Sequence, residues 1–416
     1  LLSLATSDQD HNVRLGAAQE LARGWKESPD TLSLLLSLAT SDQDHNVRLG
    51  SAQELARGWK DYSDTLPLLQ SLSRSDQSWN VRLGSAQELA RGWKEHPDTL
   101  PLLLSLATSD KDSNARLGAA QELTRGWKEH PDTLPLLLSL ATSDQYSNAR
   151  LGAAQELARG WKEHPDTLPI LHSLATSDKD SNARLSAAQE LARGWKEHPD
   201  TLPLLLSLAT SDNYYAVRRE AARELARGWK EHPDTLPRLL SLATSDKHSN
   251  ARLSAAQELA RGWKEHPDTL PLLFSLARSD QISHVRLGAA RELAHGWKEH
   301  PDILPLLLSF TTSNQNAAVR LGAAQELARG WKEHPDTLPL LLSLATSDNY
   351  YAVRLGAAQE LGHGWKEHPN TLPILLSLAT SDKHSTVRQG AAQELARGWK
   401  DDPGVRQFLK SLKENH

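Results

Sequence analysis

VRLGAAQELARGWK, running from Val13 to Lys26, decides the fold, because the same stretch returns barely altered to the end of the chain. Its tryptophan sets the ruler: Trp25, Trp59, Trp93 and their successors up to Trp399 recur at one unbroken interval, giving twelve copies without an insertion. A fixed period of this size marks a stacked array, in which no unit buries its apolar face without its neighbours.

Each copy reads as two helical halves. In Pro97 to His130, the run Asp98-Thr99-Leu100-Pro101 offers Asp or Thr as N-cap and Pro in the first turn, both helix-start signals. Across copies the Leu100, Leu103 and Leu106 columns stay large and apolar. The Leu102 column admits Arg238 and the Leu104 column admits Gln70 and His172, so those two are expected to face partly outward. A polar Ser-Asp turn follows, in which Asp110 or a neighbour caps a second helix predicted over Ala115 to Trp127, with Trp127 filling the gap between hairpins.

Leu1 to Thr6 align with Leu35 to Thr40, so the chain is expected to open inside a truncated first hairpin, with a further domain upstream. After Lys400 the pattern decays into a half repeat with lysines at outward positions, a polar terminal cap. The resulting division is 1–402 for the array and 403–416 for a capping helix.

The net charge of −5 argues against a general polyanion binder, including nucleic acid. With no cysteine, disulfides and thiolate metal sites are excluded. No apolar run approaches membrane-spanning length, and a cytoplasmic location is expected.

The pattern of Pro101, Asp110 and, six residues on, Arg116 resembles HEAT repeats over essentially the whole chain. That resemblance implies an all-α, right-handed α-solenoid (superhelix) of twelve hairpins plus a C-terminal half repeat. It also implies an Asp/Arg ladder between neighbouring repeats, carried onto Asp8/Arg14, Asp42/Arg48, Asp76/Arg82 and Asp110/Arg116, with one weakened rung at Asn314 and Arg320. The GWKEHPDTLP wording resembles the C-terminal arrays of bacterial NACHT/STAND-type NTPases. This implies a ligand-sensing region whose effector or NTPase domain lies upstream, since no phosphate-binding G-x-x-x-x-G-K-[ST] loop occurs here.

Repeated residues are poor candidates for catalysis, because an enzyme needs one asymmetric site. The nine His-Pro pairs, His96 and His130 among them, recur on the order of 10 Å apart in stacked hairpins, too far for one metal ion. They read as turn residues. The Glu20 column reads as partly buried, bonded to backbone N–H groups or an arginine. Helix B also shows a strip expected to be exposed, Leu15, Gly16, Gln19 and Arg23, with Arg23 pairing Glu27.

Variation concentrates in the four residues after Ser-Asp, which run from QDHN through QSWN and NYYA to KHST in a nearly constant frame. Tyrosine, tryptophan, histidine and asparagine at a solvent edge are what recognition surfaces use. Together with the adjoining helix B strip, the partner-binding candidates are His11, His45, Trp79, Tyr146, Tyr214, Tyr215, Arg219, His248, Ile282, His284, Tyr350, Tyr351 and His384. The reading is a non-catalytic scaffold for a protein ligand, with no cofactor and no metal. Two readings compete with it: an enzyme like the HEAT-repeat bilin lyases, and a purely structural spacer.

Overall fold

The computed structural model describes residues 1–313 and 315–414, and among them every regular element is a helix, 25 in all. The chain divides into two compact units, Leu1–Leu205 and Leu206–His416. Each is an α-solenoid of antiparallel hairpins, a shorter helix A followed by a longer helix B.

One repeat shows why the helices begin and end where they do. Helix A spans Thr99–Ser109; Pro101 sits in its first turn, where no intrahelical N–H is needed. Near its end the Thr108 hydroxyl bonds back to the Leu104 carbonyl at 2.9 Å, and Asp110 turns to extended geometry. The Asp110 carboxylate then accepts the Asp112 N–H at 2.8 Å, and Asp112 accepts the Asn114 N–H at 2.8 Å, capping helix B, Ser113–Gly126. Trp127 leaves helical geometry at φ −135°, ending the helix just short of the predicted boundary.

Between the halves, Leu103, Leu106 and Ala107 from helix A pack on Ala115, Ala119, Ala120 and Leu123 from helix B, all buried. Leu102 is buried too, against the sequence expectation, as are Leu136, Ile170, Leu204, Leu272 and Leu306. Arg238 fits the same column because its position is only half-buried and a long aliphatic stem can lie there.

Neither expected side-chain cap of helix A forms. Asp98 occupies the N-cap position without a capping bond, and Thr99, 1% exposed, turns its hydroxyl back to the Trp93 carbonyl at 2.8 Å. This bond stitches helix A to the end of the preceding helix B, and it recurs from Thr133 to Trp127 and from Thr269 to Trp263. Thr99→Val should destabilise by about 1 kcal/mol, because the Trp93 carbonyl keeps the His96 N–H at 3.0 Å. A denaturant midpoint unchanged by the substitution would contradict this role. Ile303 shows that an apolar side chain can fill the slot.

Within each unit consecutive B helices pack along one another, whereas consecutive A helices meet only at a few points. The B layer is closed and the A layer opens into grooves. At the C-terminal end, helix Pro403–Glu414 lays Val405, Phe408 and Leu409 on the last hairpin's core.

Candidate functional site

Three joints hold one repeat to the next, and together they fix the edge on which the variable residues stand. The first is the Asp/Arg ladder. Arg116 sends Nε and Nη2 to Asp144 of the following repeat, both at 2.7 Å, and Nη1 to the main-chain carbonyl of its own Asp110 at 2.6 Å. The fork thus clamps the next repeat while bracing its own turn. Arg14 with Asp42, Arg82 with Asp110, Arg252 with Asp280 and Arg354 with Asp382 repeat the geometry. The expected ladder between neighbouring repeats is present: the arginine's partner carboxylate belongs to the next copy, while the aspartate of its own copy accepts through its main-chain carbonyl. The Arg320 rung expected to be weak is intact, at 2.7 Å to Asp348. Asn314 follows Arg286 at the interval by which Asp144 follows Arg116, and it lies outside the described residues.

Buried carboxylates would ordinarily be harder to ionise. For Asp144 burial is the largest influence and raises the value. The Arg116 hydrogen bond, the Tyr146 N–H and the charges of Arg116 and Arg150 outweigh it, holding the carboxyl below its usual range.

The second joint corrects the strip expected to be exposed. Leu117 points into the next repeat at Gly152, where a Cβ would lie 2.5 Å from its methyl carbon, and Leu49 meets Gly84 likewise at 2.4 Å. Only the Arg23 column of that strip is well exposed. Its partner is the glutamate one turn earlier, not Glu27: Arg91 bonds Glu88 at 3.1 Å and Arg125 bonds Glu122 at 2.8 Å. Gln87 adds a bond across the joint to Glu122 at 3.1 Å. Burial pushes the Glu88 carboxyl up, opposed by Arg91 and Arg57.

The third joint went unread in the sequence. The repeated tryptophans from Trp59 onward are half-buried, and the lysine of the preceding repeat covers the ring: Lys60 over Trp93 at 5.6 Å, Lys128 over Trp161 at 5.3 Å, Lys332 over Trp365 at 5.7 Å. The available signal was a lysine immediately after every tryptophan, which places a cation one position short of a full period before the next ring. The His-Pro residues serve the same turn, His130 Nδ1 accepting the Asp132 N–H at 3.3 Å.

Against this frame the variable residues occupy the N-termini of the B helices. His11, His45, Trp79, Tyr215 and Tyr351 are first helical residues; Tyr146, Tyr214, His248, Ile282, Tyr350 and His384 are N-caps; His284 and Arg219 lie further in. The structure joins several of them in pairs. Tyr215 stacks on His248 with ring centroids 3.5 Å apart, and Tyr351 on His384 at 3.9 Å. Tyr146 lies over Arg116 at 5.8 Å and Tyr350 over Arg320 at 5.5 Å, so these rings also shield rungs. His45, Trp79, Tyr215, His248 and His384 are half-buried, and Arg219 lies on the B layer rather than at the edge.

From Asp112 onward the cap positions alternate. Asp112, Asp180, His248, Asn316 and His384 accept backbone N–H groups of their helices, whereas Tyr146, Tyr214, Ile282 and Tyr350 make no capping bond. These four follow one another at every second repeat and are 48%, 44%, 41% and 56% exposed. At each of them a stabilising cap, worth about 1 kcal/mol, is forgone for an exposed apolar side chain. Ile282→Asp should therefore stabilise the protein by about 1 kcal/mol in chemical denaturation, and a loss of stability would refute the reading of this position as a vacated cap.

Among the described residues no group of three histidines and acids could hold a metal ion, and no helix is long and apolar enough to cross a membrane.

A family model for HEAT repeats matches in overlapping windows, among them residues 1–90, 65–158, 148–226, 202–294 and 338–415. The chain belongs to the HEAT-repeat family. No curated protein matches at a significant level. Among solved structures, the HEAT array is similar to a mutant form of Kap121p, with a TM-score of 0.54 and 17% identity over 99% of this chain and 56% of that one. It is similar to Kap95p, in a structure with RanGDP, with a TM-score of 0.60 and 13% identity over 95% and 60%. A further match is Kap121p bound to Ste12p, with a TM-score of 0.53, 16% identity, and 99% of this chain against 55% of that one. The chain thus spans little more than half the length of these proteins, and at such identities the likeness speaks for the fold alone.

Proposed function

We propose that this HEAT array is a non-catalytic protein-binding scaffold and that, in each unit, the edge formed by the N-termini of the B helices is a recognition surface. The observation that carries this is the alternation of caps. A frame held by three repeated joints gives up helix caps at Tyr146, Tyr214, Ile282 and Tyr350 to present apolar side chains to solvent. Tyr146 and Tyr350 also lie over the Arg116 and Arg320 rungs, but at Ile282 the cap is given up for a side chain left exposed to solvent, and binding is the natural reason for that exchange. Kap121p, similar in fold, has been solved with RanGTP and with Ste12p, which supports a protein rather than a small molecule as ligand.

In the same reading, residues 1–402 are the array and 403–416 close it. The array is the ligand-sensing part of a larger signalling or defence protein, as the NACHT/STAND-like wording of its turns implies. The acidic balance and the pairing of exposed arginines with glutamates weigh against nucleic acid.

The test is affinity capture from lysate of the source cells, with the protein beside a variant carrying serine at Tyr146, Tyr214, Ile282 and Tyr350. Circular dichroism confirms that the variant stays helical. A protein retained by the parent and lost by the variant is the expected result. Equal capture by both would remove the edge as the recognition surface.

A further inference from the structure

The grooves of the A layer differ in charge. The groove beside Tyr146 is lined by four aspartates against Arg150 and Lys179, and the groove beside Tyr350 by Asp336 and Asp348 against Arg320. Two other grooves, one in each unit, reverse the sign. In the second unit a groove of 390 Å³ runs along helix Thr235–Ser245, lined by Arg218, Arg238 and Lys247 against Asp212 and Asp246. In the first, a groove of 610 Å³ beside helix Thr99–Ser109 is lined by Arg74, Arg82 and Lys111 against Asp76 and Asp110. Single substitutions supply the surplus. Arg238 stands where the other copies carry leucine or isoleucine, and Arg74 where all but one of the others carry threonine. The two arginines come from opposite walls, so different changes lead to the same chemistry.

The rungs occupy one arginine of each groove: Arg218 is bound to Asp246 and Arg82 to Asp110, both at 2.6 Å, while Asp76 is held by Arg48 at 2.8 Å. Asp212 accepts the Tyr214 N–H at 2.8 Å. Among the described residues Arg238, Lys247, Arg74 and Lys111 make no ion pair. Arg278 carries the same change as Arg74 and is engaged, by Asp302 at 3.5 Å and the Phe274 ring at 4.8 Å. The Arg238 Nε is in addition shut off from water without a hydrogen-bond partner, a cost that a bound acceptor removes. Ser241 and Ser245 share the helix face of Arg238, and Ser105 and Ser109 hold the same places in the first unit. We propose that each of these two grooves binds a phosphate monoester. Two uncompensated cations beside hydroxyl donors suit a group of about −1.5 to −2 charge with three acceptor oxygens, whereas a carboxylate would answer only one of them. The arginine fork takes two oxygens and the lysine adds a point charge. Small-ligand sites run from roughly 300 to 1,000 Å³, so both grooves have room for the group and its carrier. A phosphorylated protein side chain and a phosphorylated small molecule present the same group. The vacated caps take no part in this site.

The experiment uses the whole chain, labelled with nitrogen-15, and follows arginine Nε–H resonances by NMR. The resonance missing from Arg238→Leu is that of Arg238, and the one missing from Arg74→Thr is that of Arg74. Both substitutions restore the residue that other copies carry, so the variants are expected to fold. An alanine–phosphoserine–alanine tripeptide should shift both resonances with saturation, and the unphosphorylated tripeptide should shift neither. Calorimetric titration with the same tripeptide should show about a tenfold or greater loss of affinity in the double variant. A tripeptide with glutamate at the centre should bind more weakly than the phosphorylated one. Glycerol phosphate separates the sources: weaker binding than the tripeptide points to a protein side chain, and equal or tighter binding to a small molecule. No shift at up to about 10 mM phosphorylated tripeptide would overturn the site. Equal binding of the glutamate tripeptide would overturn the phosphate assignment, and an unchanged affinity in the double variant would overturn the role of the two arginines. None of these results touches the captured protein, so the reading of the cap edge stands or falls separately.

Discussion

Arg116→Ala is expected to destabilise the protein by about 3–5 kcal/mol, the cost of removing one partner of a buried ion pair. Both members of the rung are nearly excluded from solvent, at 9% and 3% side-chain exposure. The substitution leaves the Asp144 carboxylate with only the Tyr146 N–H at 2.9 Å, and strips the Asp110 carbonyl of the guanidinium that bonded it at 2.6 Å. Arg116→Lys should recover only part of the loss, because an ammonium cannot present two parallel N–H groups to a carboxylate while reaching a third acceptor. Arg125→Ala is the matched control. Its side chain is 69% exposed and its Glu122 partner keeps Gln87, so the cost should stay within about 1 kcal/mol. Urea unfolding gives the totals. Hydrogen exchange locates the effect, since arrays open repeat by repeat: protection should fall in Thr99–Ser109 through Ser147–Gly160 for Arg116→Ala alone. Equal losses for the two alanine variants would show that the rungs contribute no more than surface pairs.

Acid should unfold the array in a steep, early transition, the second large effect and a summed one. Asp42, Asp76, Asp110, Asp144, Asp246, Asp280, Asp348 and Asp382 all sit below their ordinary value. In all but Asp382, burial is the largest influence and opposes the shift, and the arginine, backbone and charge contributions together exceed it. At Asp382 the Arg354 hydrogen bond leads. A depressed folded value means that the unfolded chain binds protons first. Each rung therefore contributes fully above the unfolded carboxyl value of about 4, and its contribution drains away as pH falls below that toward the folded value. With eight carboxyls acting together, helicity followed by circular dichroism should fall over a narrow range below about pH 4. Asp144→Asn should blunt the slope by one proton. Because the pairs are buried, salt near about 1 M should shift the transition little. A gradual decline, or one abolished by salt, would mean that the carboxylates are solvated and the rungs weak.

The helical pattern was legible because it is local. Proline in the first turn of helix A, the Asp-rich turn and the alanine-leucine face of helix B predict elements close to those observed, Thr99–Ser109 and Ser113–Gly126. The vacated caps were half legible: the variable loops stood out, but the alternation at every second repeat emerged only once each cap position was known. The sequence alone determined the period, the two helices per period, the edge on which variation gathers, and which residue types carry each column. It could not determine which copy each column touches. In a periodic chain Arg116 stands after Asp110 and before Asp144, and Leu117 is near a glycine of its own repeat and of the following one. The choice belongs to packing. Neighbouring B helices lie close enough for Arg116 to reach Asp144, for Leu117 to fill the space at Gly152, and for Lys128 to cover Trp161. Those distances exist only when the repeats are stacked.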